Sequence, residues 1–103
     1  MLKKLEFYRK DSQLYIRLDS DFNYPSIKKI EELISIEDVE SITIDCSYSK
    51  VADTEAVKFV YFALKTGVNI TVVNPPDVFA KIIKVLGLEE ILNSINIVKG
   101  GKV

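Results

Sequence analysis

Apolar and polar positions alternate twice near the start of the chain. Leu5 and Phe7 alternate with Glu6 and Tyr8, and Leu14, Ile16 and Leu18 alternate with Tyr15, Arg17 and Asp19. A period of two sets one face of each segment against a core, so both read as half-buried strands. The polar run Arg9-Lys10-Asp11-Ser12-Gln13 reads as the turn of an antiparallel hairpin. Residues 19–25 form a loop. Pro25 or Ser26 then opens a helix, with Ile27, Ile30, Leu33 and Ile34 on one face and Lys28, Lys29, Glu31 and Glu32 on the other.

The β-branched run Ser41-Ile42-Thr43-Ile44-Asp45-Cys46 predicts a third strand. Residues 53–65 have helical spacing, with Asp53 or Thr54 as the N-cap and Gly67 as the stop. Residues 69–73 predict a fourth strand. Pro75-Pro76-Asp77 starts a third helix, with Asp77 as its cap and Val78, Phe79, Ile82, Ile83 and Leu86 on its core face. Gly87 ends it; residues 88–92 form a short helical turn and 95–98 a short last strand. The order β-β-α-β-α-β-α plus a short final element implies right-handed crossovers and a mostly parallel sheet. The expected fold is a single α/β domain over residues 1–103. It has a small mixed sheet, an N-terminal antiparallel hairpin and helices mainly on one face.

Composition removes many chemistries. The chain has 103 residues, 48% hydrophobic and 28% charged, with a net charge of −1. That balance is globular and lacks the basic footprint of a nucleic-acid binder. With no histidine and one cysteine, it holds no internal disulfide, no His or Cys zinc cluster and no Ser-His or Cys-His pair. The first residues lack an apolar signal core, and no apolar run reaches the roughly 18 residues of a membrane span. The expectation is a cytoplasmic protein that is not an enzyme and needs no cofactor. The Lys3-Lys4 pair and Lys99 with Lys102 read as solvated ends, with residues 100–103 frayed.

Two ungapped blocks carry a resemblance. Residues 41–58, SITIDCSYSKVADTEAVK, look like a strand, an Asp-Leu-Ser-Gly-type loop and an Asp-Ser-Ser-Gly helix start. Residues 67–92, GVNITVVNPPDVFAKIIKVLGLEEIL, look like a closing strand, an Asn-Pro turn, a helix and a Gly-Leu-Glu ending. Residues 14–34, LYIRLDSDFNYPSIKKIEELI, match more weakly. Together they resemble the STAS domain, the family of sulfate transporters and anti-sigma factor antagonists. The resemblance implies the α/β fold above and a regulatory role in which the second helix and nearby loops dock a partner.

The chain departs from that family at its signature. In anti-sigma factor antagonists the second Ser of Asp-Ser-Ser-Gly is phosphorylated, whereas the matching run here is Asp53-Thr54-Glu55-Ala56. The acceptor position therefore holds Glu55, which cannot be phosphorylated, and Thr54 keeps a hydroxyl one position earlier. Tyr48 stands where the loop usually has glycine, and Asn23 stands where many relatives have Asp. Glu55 reads either as an ordinary first-turn carboxylate or as a fixed mimic of the phosphorylated state. Thr54 reads either as a cap or as a phosphoacceptor.

On a helical wheel the second helix puts Ala56, Val57, Phe59, Val60, Ala63 and Leu64 on its core side. Phe62 falls opposite, in line with Glu55, Lys58 and Lys65, and Tyr61 lies at the margin. An aromatic among lysines on the family's docking helix points to a protein-binding face. The expected partner-binding set is Tyr48, Ser49, Asp53, Lys58, Tyr61 and Phe62, with Thr54 and Glu55 as regulatory positions. The implied partner is a kinase-fold anti-sigma regulator, or the membrane transporter subunit of a lipid or anion transport system. Nucleic-acid binding and direct membrane insertion are not expected, and the oligomeric state is open. A weak nucleotide-binding sensor is a further alternative, since the 47–50 loop follows a parallel strand, but there is no Gly-rich phosphate loop. Asp45 lacks the acidic pair and lysine of a response-regulator site and reads as a ligand for loop amides. Cys46 reads as a small buried residue.

Overall fold

The computed structural model describes residues 6–34 and 39–100, without the side chains of Leu33 and Ile34. The expectations for Leu5, Lys3-Lys4, the side chains of Leu33 and Ile34, and the end with Lys102 lie outside the described residues. In chain order the elements are β1 (Glu6–Lys10), β2 (Gln13–Arg17), α1 (Tyr24–Ile34), β3 (Ser41–Asp45), α2 (Thr54–Lys65), β4 (Asn69–Val73), α3 (Asp77–Val85), α4 (Glu90–Ser94) and β5 (Asn96–Val98). The strands form one sheet in the order β1-β2-β3-β4-β5. β1 runs antiparallel to β2, and all later neighbours are parallel. This is the mixed α/β sheet that the strand–helix alternation predicts.

Strand order equals chain order, so every parallel crossover steps the same way across the sheet. Right-handed crossovers then lay all the helices on one face. Leu14, Ile16, Ile42, Ile44, Ile70 and Val72 point up under them and are buried. They meet Ile30, Val57, Val60, Phe79, Ile83 and Ile91 from the helices in one core. α2 is the middle helix, packing on α1, α3, α4 and β4. The opposite face carries a row of aligned residues: Tyr8, Tyr15, Thr43, Thr71 and Asn96.

The structure corrects the hairpin. β1 runs on to Lys10, and the turn shrinks to Asp11 and Ser12. Asp11 takes the left-handed φ of 54° that a two-residue turn demands, which Asp tolerates better than most residues. Phe7 is not half-buried; it is 56% exposed. β1 is an edge strand packed chiefly against β2, and the helical layer does not reach over it. Alternation marked the strand but could not say whether anything covered it.

Three further expectations change. α1 starts at Tyr24, one residue before Pro25. Asp77 is the first residue of α3; Pro76 is the N-cap position and no side chain caps the helix. Leu86 is 44% exposed rather than core. The helix ends at Val85, the chain turns through Gly87 at φ 71°, and Leu88 packs on the core instead. No helix of the described residues is long and apolar enough to cross a membrane.

Phe22 ties the loop before α1 into this core. It is fully buried, and its ring stacks on Phe79 of α3 at 5.8 Å between centroids. Phe22→Ala removes that bridge and leaves a cavity, so urea denaturation should show a loss of about 3–5 kcal/mol.

Candidate partner-binding face

Two loops at the carboxyl end of the sheet are joined before any site is formed. The loop after β2 and the loop after β3 pair as a short parallel bridge, Phe22 with Ala52. The Phe22 amide donates to Val51 O at 3.0 Å, and the Asp53 amide donates to Phe22 O at 3.2 Å. Asp21 Oδ1 accepts the amides of Lys50 and Val51 at 2.9 and 3.2 Å. The Ser49 hydroxyl donates to Ser20 O at 2.6 Å. Short polar side chains thus satisfy backbone groups that neither helix nor sheet could reach.

Asp53 closes this region. Its backbone is extended and it is the N-cap of α2, settling the choice between Asp53 and Thr54. Oδ1 accepts the Ala56 amide at 3.1 Å, while Oδ2 accepts the Tyr24 amide, the first of α1, at 3.0 Å. One carboxylate therefore serves the positive ends of two helices. Thr54 is left exposed at the first position of α2.

Glu55 is next, with its carboxylate turned outward and bonded to Lys58 Nζ at 3.3 Å. Such a solvated pair contributes about 0–1 kcal/mol. Phe62, two turns on, is 64% exposed, the most exposed aromatic of those described. Glu55, Lys58 and Phe62 share one side of α2 and form a wall of a groove between α1 and α2, of about 700 Å³. Its floor is apolar, from Ile27, Val39, Ile42, Phe59, Ala63 and Val68, and Glu31 of α1 faces α2 across it.

Not every expected residue joins this face. Tyr61 is half-buried on the other flank of α2, with its ring under Lys65 Nζ at 5.2 Å and edge-on to Phe62 at 6.0 Å. It lines a small hollow toward α4 instead. Tyr48 is exposed, with the Arg17 guanidinium 5.5 Å from its ring centre. Ser49 and Asp53 turn their side chains inward to the loop bonds above. The groove itself escapes the sequence, because it exists only where α1 and α2 meet and neither helical wheel contains it. Exposed Tyr24 and Val51 beside the loop junction were missed for the same reason.

Below the loops, Asp45 is a buried carboxylate at the end of β3. It accepts the Ser47 hydroxyl and amide on Oδ1 at 2.6 and 2.9 Å, and the Tyr15 hydroxyl on Oδ2 at 3.0 Å. Burial works to raise its pKa. The Ser47 and Tyr15 hydrogen bonds, with the Arg17 guanidinium, outweigh that and hold it below the usual carboxylate value. Asn74 donates to the Ser47 hydroxyl at 2.9 Å and accepts the Gly100 amide at 2.7 Å, which links β3, β4 and the end of β5. Asp45 therefore binds a loop amide, as its position suggested. Cys46 is buried beside it, and burial, then the Asp45 charge, pushes the thiol up to about 12. It holds no reactive thiolate at neutral pH. Among the described residues no group of His, Cys, Asp and Glu could hold a metal ion.

Solved structures share this fold. The anti-sigma factor antagonist SpoIIAA in its unphosphorylated form superposes with a TM-score of 0.70 at 15% identity, covering 96% of this chain and 90% of that one. The Bacillus cell fate determinant SpoIIAA in the phosphorylated form gives 0.67 at 15% identity, covering 96% and 93%. The chain has the fold of SpoIIAA. That is the STAS fold which the sequence blocks imply, retained at an identity too low to carry residue roles across. No protein-family model matches the sequence, and no curated protein matches it.

Two outcomes follow from the geometry. Asp53→Ala removes the cap of α2 and the acceptor of the Tyr24 amide, and should cost about 1–2 kcal/mol in chemical denaturation. Asp45 has a folded pKa below its unfolded one, so its stabilisation is complete above the unfolded carboxylate value. It is lost as pH falls through the folded value. In acid, the stability of wild type should fall more steeply than that of Asp45→Asn, measured by thermal melts from pH 7 downward.

Proposed function

We propose that this chain is a non-enzymatic regulatory module of the anti-sigma factor antagonist type, working in the cytoplasm and docking a protein partner through α2 and the loop before it. The observation that carries the reading is the outward wall of α2. Lys58 and Phe62 stand exposed and Glu55 half-buried beside an apolar groove, on a helix whose opposite side is spent on the core. Support also comes from the fold, since SpoIIAA is described as an anti-sigma factor antagonist. On this reading Phe62 is the apolar anchor, and aromatics of that kind dominate the binding energy of protein interfaces.

Glu55 sets the charge of the face. It stands at the position that matches the family phosphoacceptor, and as a carboxylate its charge is permanent. Covering it with a partner costs several kcal/mol unless the partner brings a cation to it. A phosphoryl group on Thr54 would add charge between Asp53 and Glu55, so regulation there would act by repulsion. The partner we infer is a kinase-fold regulator with a basic contact surface.

Affinity capture from the source organism, with wild type and a Glu55→Lys, Phe62→Asp double variant, tests the face. A kinase-fold protein held by wild type alone supports the proposal. A transporter subunit held the same way would move the module to a transport system, and equal capture by both proteins would remove α2 as the docking face. With the purified partner, Glu55→Ser should weaken binding at least about tenfold, or ~1.4 kcal/mol, by calorimetry. An unchanged affinity would show that Glu55 is only a first-turn carboxylate.

A further inference from the structure

The outer edge of β1 is a binding surface of a different kind. Asp11 and Ser12 make a two-residue turn, so Lys10 and Gln13 are the hydrogen-bonded pair that closes the hairpin. Alternation makes Tyr8–Tyr15 and Glu6–Arg17 hydrogen-bonded pairs too. Phe7 and Arg9, opposite Ile16 and Leu14, then turn their N–H and C=O groups away from β2. Among the described residues β1 ends the sheet, so these backbone groups face outward. The side chains beside them are Phe7, 56% exposed, and Tyr8, 63% exposed.

We propose that this edge pairs with β1 of a second copy of the chain, antiparallel and centred on Tyr8, to give a two-fold dimer with one continuous sheet. The strand Glu6-Phe7-Tyr8-Arg9-Lys10 is complementary to itself in that register alone. Glu6, already bonded to Arg17 of its own hairpin at 2.7 Å, meets the second copy's Lys10, so each dimer adds two further opposite-charge contacts on the open face. Phe7 meets the second copy's Arg9 on the helix side, where the ring packs beside the Arg9 stem while the guanidinium stays on its own Asp11 O at 2.8 Å. Phe7 and Arg9 are the residues whose backbone faces outward, so both form hydrogen-bonded pairs across the new edge. Moving the centre to Arg9 would set two arginines against each other, and moving it to Phe7 would pair Glu6 with Tyr8 and lose the charge match.

The shape allows it. Such a dimer has its two-fold axis normal to the sheet, so both helical layers stand on the same side. No described helix packs closely on β1 and Phe7 is exposed, so two largely uncovered strands, about 10 Å of sheet, separate the layers. Both Phe7 rings fall in that gap. The pairing is isologous and closes, leaving neither β1 edge open for further growth.

Sedimentation velocity from micromolar to millimolar protein should show a concentration-dependent dimer. Phe7→Pro keeps the hairpin, because the Phe7 N–H faces away from β2, but it removes an edge donor. It should weaken dimerisation at least about tenfold while circular dichroism stays unchanged. Glu6→Lys and Lys10→Glu should each weaken the homodimer by a similar factor, and a mixture of the two should restore dimers as a heterodimer. This second pair keeps the test sharp if the proline variant is poorly folded. A protein that stays monomeric at millimolar concentration overturns the proposal. So does a dimer indifferent to the charge swaps.

Discussion

Chain-order stacking of parallel strands is the constraint on which the molecule rests. Each step from β2 to β5 moves one place in the same direction, and each crossover has the same hand, so every helix is driven to one face. A helix in the middle of such a layer has no choice about its surroundings. α2 has the sheet below, α1 on one flank, and α3 and α4 on the other. Five of its residues are buried: Ala56, Val57, Phe59, Val60 and Ala63. Only the side turned from the sheet is left for solvent or for a partner. Glu55, Lys58 and Phe62 are the polar and aromatic residues the sequence places there. The same constraint leaves β1 beyond the helices, which is why an apolar ring at Phe7 meets water.

The second requirement is polar. Loops at the carboxyl end of the sheet carry backbone groups that the ladder cannot use. Asp21, Asp45 and Asp53 each take up amides from a loop or helix start, and Ser49 and Asn74 supply further links. Asp45 shows the balance involved. Burial alone would favour its neutral form, yet three donated hydrogen bonds keep it ionised. The loop that presents Tyr48 is therefore anchored at its root, with Ser47 on Asp45, and at its end, with Asp53 capping α2. A docking surface built on such a loop is held in one shape before a partner arrives, which lowers the ordering cost of binding.

Most of the fold was legible because periodicity reports burial directly. The alternation at Leu14, Ile16 and Leu18, and the spacing of Val57, Val60 and Phe59, each name a face, and each face is buried. The exposed position of Phe62 was legible for the same reason. What periodicity cannot report is what lies opposite. Phe7 has the pattern of a core residue and lies at an uncovered edge. Leu86 has the spacing of the α3 stripe but falls after its last turn. Asp77 has the chemistry of a cap but sits one residue too late. The groove between α1 and α2, and the Tyr15–Asp45 bond across two strands, depend on pairings between distant segments, and no single window of sequence contains them.

On the proposed reading, the two carboxylates at the start of α2 differ in how far each is free to meet a partner, and Glu55 is freer than Asp53. Asp53 spends both oxygens inward, on Ala56 and Tyr24, so its charge is engaged by the two helix ends. Glu55 is not needed for that task. Its dipole interaction contributes about 0.3–1 kcal/mol, and its one described bond is the solvated pair with Lys58. A side chain so lightly tied to the fold can be changed with little loss of stability. A partner cation can displace Lys58 at small cost, because the exposed pair itself contributes little. The charge also cannot be removed by a phosphatase. If α2 is the docking helix, the affinity set at this position is fixed by the sequence, and any switching must come from Thr54 beside it or from the partner.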